Sequence, residues 1–154
     1  MDYRQALNKA AALCSRKEYC TADIQKKLVN WDLTEEEVGK ALEWLSGEKF
    51  IDDKRYAAYY VRDKFRFNGW GRIKIRYQLR GKQITSSVID EALEQIDEGE
   101  YLKMLAELLH SKKRSVKNKD AWQKKAALAR FAQSRGFEPD VVFSMIDEVL
   151  NDIT

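Results

Sequence analysis

The chain has 154 residues, 44% apolar and 34% charged, with a formal net charge of only +3. One proline and seven glycines leave too few turn residues for an all-β fold, and helix formers dominate, so the sequence reads as all-α. Cys14 and Cys20 are spaced neither as a zinc half-site nor as a redox Cys-x-x-Cys pair. With no secretory leader and no apolar run near about eighteen residues, the expectation is a soluble, cytoplasmic protein without membrane contact.

In chain order, apolar residues fall at helical spacing in three successive rounds. The first unit, residues 1–50, carries Ala6/Ala10/Leu13, then Ile24/Leu28, then Val38/Leu42/Leu45 behind a Thr34 N-cap that forms a capping box with Glu37. The second, residues 51–97, carries Ala57/Val61/Phe65, then Ile75/Leu79, then Ile89/Leu93/Ile96 behind Thr85. Within it, Asp52 or Asp53 caps the first helix, and Asn68-Gly69-Trp70-Gly71 is a helix-to-helix turn. The third, residues 98–154, carries Leu102/Leu105/Leu109, a basic loop from Lys112 to Asp120, Leu128/Phe131, and Val142/Ile146/Val149 behind Pro139 at a first helical position. An apolar residue (Leu33, Ile84, Phe137) precedes each third helix and can staple onto it. The pattern is a three-helix unit used three times, with a period of about fifty residues. Each unit is too small to bury much surface alone, so the expected architecture is an elongated, curved array in which units lean on their neighbours.

Charge is segregated along this array. From Lys54 to Lys82 there are ten Lys or Arg against one acid, Asp63, whereas residues 84–110 carry seven acids against one Lys. Arg72, Arg76 and Arg80 recur every four residues and form one row, with Ile75 and Leu79 facing the core and Lys74 on another side. Arg62 and Arg66 pair on the preceding helix, with Lys64 turned away and Lys82 closing the run. The third unit adds Lys112, Lys113, Arg114, Lys117, Lys119, Lys124 and Lys125. Arginine forks at fixed spacing suit phosphate, and such clustering is the footprint of a polyanion partner. Solvated helix faces with incidental charge are the plainer alternative.

Chemistry is absent where charge is present. The lone histidine, His110, reads as a helix-end cap, and Asp52-Asp53 lacks a third carboxylate at metal-binding spacing. No catalytic residue, metal site or cofactor is expected. Among the aromatics, Tyr56, Tyr60 and Phe67 lie at helical spacing, so some of them read as core; Phe67 or Trp70 is the best stacking candidate, Trp31 and Trp44 read as packing, and Trp122 as either.

Three segments carry a resemblance: Phe50-Ile51-Asp52-Asp53 running into Arg55-Tyr56-Ala57, Gly69-x-Gly71-Arg72-x-x-Ile75-x-x-x-Leu79, and Arg135-Gly136-Phe137. Together they resemble the RecX family of recombination regulators over about Tyr3 to Leu150. The chain departs from that pattern at Gln83, where a glycine is expected after Lys82, and Asp32 stands at the matching place in the first unit. A glycine would supply positive φ there, so the turn at Gln83 is expected to differ or carry strain. The resemblance implies a non-enzymatic protein of homologous recombination and DNA repair. Such a protein binds RecA and its nucleoprotein filament, lodges in the helical groove and restrains ATP hydrolysis and strand exchange. The middle-unit arginines and third-unit lysines would then meet DNA phosphate or acidic RecA surface, and charge reversal at Arg72 and Arg76 should weaken filament binding while leaving helicity intact. A monomer is expected. A DNA-binding module that needs no RecA and a protein-binding adaptor are the alternatives.

Overall fold

The computed structural model describes residues 1–152. Its regular secondary structure is all helical among the described residues. The helices are α1 (Tyr3–Cys14), α2 (Thr21–Asn30), α3 (Glu35–Gly47), α4 (Asp53–Asn68), α5 (Arg72–Gly81), α6 (Ser86–Leu93), α7 (Glu98–Lys113), α8 (Ala121–Ser134) and α9 (Pro139–Asn151). A single 3-10 turn, Arg114–Val116, follows α7. They pack in consecutive threes, each helix of a trio against the other two. None is long and apolar enough to cross a membrane.

The repeat is visible in the hydrogen bonds as well as in the apolar pattern. Where the second helix of each trio ends, Asp32, Gln83 and Gly136 adopt positive φ of 67°, 61° and 92°. The next residue then donates five residues back: Leu33 to Leu28, Ile84 to Leu79, and Phe137 to Ala132, at 3.3, 3.2 and 3.1 Å. This is the Schellman arrangement, which satisfies otherwise orphaned carbonyls and drives the following apolar side chain inward. Leu33, Ile84 and Phe137 are all buried. Gln83 therefore adopts the positive φ that a glycine would supply at this turn and bears the left-handed strain itself.

Helix starts follow the sequence closely, with one difference. Thr34 and Glu37 form the expected capping box, Asp52 caps α4 through the Arg55 N–H at 3.1 Å, and Pro139 occupies the first turn of α9. Thr85 stands at the N-cap of α6 but makes no side-chain cap bond; its hydroxyl lies 3.4 Å from that of Ser87.

The three units do not lean on one another equally. One core holds Ala6, Ile24, Leu28, Val38, Leu45 and Ile51 and closes within the first trio. A second, larger core runs without a break from Tyr56 through Leu105 to Val149, fusing the second and third trios, and takes in only Cys20 and Ala22 from the first. The accessible surface, 9674 Å², exceeds the roughly 8,000 Å² expected for a compact chain of 18.0 kDa, as an extended array should.

Candidate polyanion-binding surface and the junctions beneath it

The residues that make the sequence recognisable sit at the two junctions between trios. At the first, Asp53 reaches back so that its carboxylate accepts from the Thr21 N–H at 2.7 Å, supplying α2 with an anionic cap from another unit. Arg55 binds Glu18 at 2.6 Å and donates to the Lys49 and Phe50 carbonyls at 3.1 and 3.3 Å, gathering the end of α3. Lys82 pairs with Asp23 at 3.0 Å and lies over the Tyr56 ring. Cys20 is buried at the centre of this joint, and burial pushes its thiol up to about 11. Asp53, Arg55 and Lys82, with Tyr56 beneath Lys82, thus fasten the first trio to the second, while Asp52 caps α4.

The second junction is a backbone-to-backbone weld. Gly71 donates to the Arg135 carbonyl at 2.7 Å and Ile73 to the Gly136 carbonyl at 3.0 Å. Between them the Arg72 N–H donates to the Tyr101 hydroxyl at 3.0 Å. The first turn of α5, which has no side-chain cap, is in this way capped by the third trio. Only glycines allow it. A Cβ on Gly71 would lie 2.4 Å from the Gly136 oxygen, and one on Gly136 would lie 2.3 Å from Lys74 Cβ. Gly69, at φ 65°, turns the chain into position while packing on Leu108. Tyr101 donates to Glu138 and stacks between Phe65 and Phe137, at 5.8 and 5.1 Å.

Arg72 completes this network instead of facing solvent. Its guanidinium lies 3.8 Å over the Tyr101 ring and binds Glu138 at 2.8 Å and Glu98 at 2.5 Å. Burial acts to lower its pKa, but the hydrogen bonds to Glu138 and Glu98 outweigh that and hold it above its usual range. Arg76 pairs with Asp90 at 2.5 Å. The expected row of three arginines is therefore divided: the acidic segment 84–110 neutralises Arg72 and Arg76 from within the fold, and only Arg80 remains exposed and without an ion pair among the described residues. Charge reversal at Arg72 would attack the weld.

The other candidate contacts fall into separate groups. Arg62 and Arg66 are exposed on α4, have no ion pair among the described residues, and line a small cleft with Gln95, Ile96 and Glu100. Lys64 and Lys74 converge on Trp70, their ammonium groups 5.2 and 4.6 Å from its ring, and Lys64 lies 4.0 Å from Asp63. In the third trio Lys113 holds the Val149 carbonyl at 2.9 Å, Lys125 pairs with Asp147 at 3.1 Å, and Lys112 lies over Phe131. Arg114 is exposed, and neither it nor Lys124 has an ion pair among the described residues.

The aromatics divide between core and surface. Tyr56 is buried and Tyr60 partly so, but Phe67 is 82% exposed; the core position of that helix is Phe65. Trp70 is partly buried, with its ring occupied by two lysines and Tyr60, which removes it as an open stacking surface. Trp31 packs on the first core and Trp44 stacks on Phe50. In α7 the buried position is Tyr101 and not Leu102, a one-residue shift that hid the weld from the sequence pattern. A polar-tipped aromatic following an acidic helix start was the available signal.

Comparison with known proteins accords with this organisation. Family models described as the second and third three-helix domains of RecX match residues 52–93 and 98–146. The regulatory protein RecX of Actinobacillus pleuropneumoniae serotype 5b is 30% identical over 149 residues, covering 96% of this chain and 94% of that protein. The regulatory protein RecX of Clostridium botulinum strain Eklund 17B is 35% identical over 131 residues; the alignment covers 83% of this chain but 60% of that longer protein. A crystal structure of regulatory protein RecX superposes with a TM-score of 0.87 at 30% identity, over 95% of this chain and 71% of that one.

Proposed function

The chain belongs to the RecX family of regulatory proteins, and from that premise we propose that it binds RecA, chiefly as the nucleoprotein filament, and restrains ATP hydrolysis and strand exchange. The observation that carries the reading is a pair of welded trios presenting arginines with no internal employment. Arg62 and Arg66 on α4 and Arg80 on α5 are exposed and unpaired among the described residues, while Arg72 and Arg76 of α5 are held by Glu98, Glu138 and Asp90. A fold that neutralises some arginines and leaves others bare on a rigid body is suited to an anionic partner of fixed shape. A filament groove, with DNA phosphate inside and repeated protein surface around it, has that form. The contact residues are then Arg62, Arg66 and Arg80, with Lys64 and Lys74 around Trp70 and Arg114 and Lys124 from the third trio. Arg72, Arg76, Lys82, Lys113 and Lys125 serve the fold that holds them.

The test is single-strand-stimulated ATP hydrolysis by the cognate RecA, titrated with this protein at substoichiometric ratios. Hydrolysis should fall at ratios too low to mask the DNA, and the Arg62→Glu/Arg66→Glu pair should lose that effect with an unchanged melting curve. Inhibition only once the DNA is saturated would instead describe a DNA-binding module indifferent to RecA.

A further inference from the structure

Trp122 differs from the other three tryptophans in having no aromatic or cationic group over its ring among the described residues. Lys9 lies 4.8 Å from the Trp31 ring, Phe50 stacks 5.7 Å from Trp44, and Lys64 and Lys74 flank Trp70. Trp122 is 79% exposed and has no ring or cation partner among the described residues. The core residues of α8 are Ala127, Leu128, Ala129 and Ala132, and Trp122 is not among them. An indole left in water at a position that any helix former could fill calls for a partner.

Its mounting is rigid. Val116 is buried and pins the preceding 3-10 turn into the large core. Asp120 caps α8 through the Gln123 N–H at 2.8 Å, and the Gln123 side chain accepts in return from the Asp120 N–H at 3.4 Å. The surrounding charge is one-sided: seven Lys or Arg lie between Lys112 and Lys125 against Asp120 alone. Trp122, Lys124 and Lys125 line a cleft of about 410 Å³, bounded across from them by Asp147, Leu150 and Asn151. Lys125 neutralises Asp147 at 3.1 Å, whereas Lys119 and Lys124 have no ion pair among the described residues.

A preorganised flat aromatic beside unpaired lysines matches one ligand chemistry better than others. Every nucleobase has a face to stack, and its phosphates follow at a spacing lysines can meet. An acidic peptide would use the lysines and waste the ring; an apolar partner would cover the ring and strip water from the lysines without return. We infer that the first turn of α8 is a single-stranded nucleic-acid subsite, with one base stacked on Trp122 and flanking phosphates on Lys119 and Lys124. It lies in the third trio, apart from Arg62 and Arg66, and does not depend on RecA.

Fluorescence anisotropy of a labelled oligothymidylate with the full chain, RecA absent, tests it. Trp122→Ala should weaken binding about tenfold or more, as loss of one base stack does, with the melting curve and the salt slope preserved. Trp122→Phe should recover most of the affinity, and Lys124→Gln should lower the salt slope by about 0.7. Unchanged affinity in Trp122→Ala overturns the assignment. So does polyglutamate competing as well as oligothymidylate, which would give the patch to an acidic protein. If RecA hydrolysis is indifferent to the protein while Trp122→Ala still loses the oligonucleotide, the filament reading fails and this subsite stands.

Discussion

Gly71→Ala isolates the weld between the second and third trios, because nothing else at that position demands glycine. Its φ is −82° and its ψ 174°, an ordinary extended conformation open to alanine. The new Cβ, however, would sit 2.4 Å from the Gly136 oxygen, 2.5 Å from its carbon and 2.6 Å from the Phe137 nitrogen, all of them backbone atoms. Relief to ordinary contact needs about 1 Å of separation. That would stretch the Gly71 to Arg135 hydrogen bond, now 2.7 Å, beyond bonding distance, along with the 3.0 Å bond from Ile73 to Gly136. Donors at a helix start left without partners cost about 1–3 kcal/mol each. Partial water access at the rim brings the expected total to about 3 kcal/mol, a large share of the roughly 5–15 kcal/mol that holds a domain folded. For a chain of this size that lowers Tm by about 6–12 °C. Gly39, in the middle of α3 with nothing within 4 Å of its would-be Cβ, is the control; Gly39→Ala should stabilise by about 0.5–1 kcal/mol. Urea unfolding followed by far-ultraviolet circular dichroism reads both. A Gly71→Ala midpoint indistinguishable from the parent, with Gly39→Ala behaving as stated, would refute the weld.

Arg72→Glu should destabilise by about 2 kcal/mol or more, since it places a third carboxylate against Glu98 and Glu138, whereas Arg76→Glu, at a half-exposed pair, should cost under about 1 kcal/mol; equal urea midpoints would contradict the division of the arginine row. Gln83→Gly should raise stability by about 0.5–1 kcal/mol by removing left-handed strain at φ 61°, and a lower Tm would show that the Gln83 side chain contributes something the geometry does not reveal. The Cys20 thiol, raised by burial from 9.0 to about 11, favours its neutral form in the folded state, so its stabilising contribution is complete below pH 9 and is lost as pH climbs through about 11. Cys20→Ala should flatten the fall in urea midpoint between pH 9 and 10, leaving the share of Tyr56, raised from 10.0 to about 12, above that range.

Much of this protein was legible in the chain itself. Helical periodicity, caps such as Thr34 and Asp52, and the recurrent apolar residue after each second helix are local properties, set within one or two turns of backbone, and they determined an all-α chain of repeated trios. The family motif was legible for the same reason. What the motif is for was not. Arg72 and Arg80 stand at equal spacing on one helix and look alike in sequence. One lies against Glu98 and Glu138 over Tyr101, the other reaches solvent, and the difference is set by residues up to 66 positions away. The same holds for Trp70 and Trp122, of which one is covered by lysines from two helices and the other by nothing described. Ion pairing and exposure are relations between distant segments, and local pattern carries no record of them. The sequence alone determined where the positive charge is concentrated; only the packing of helices within and between the trios decided which of those charges a partner can reach.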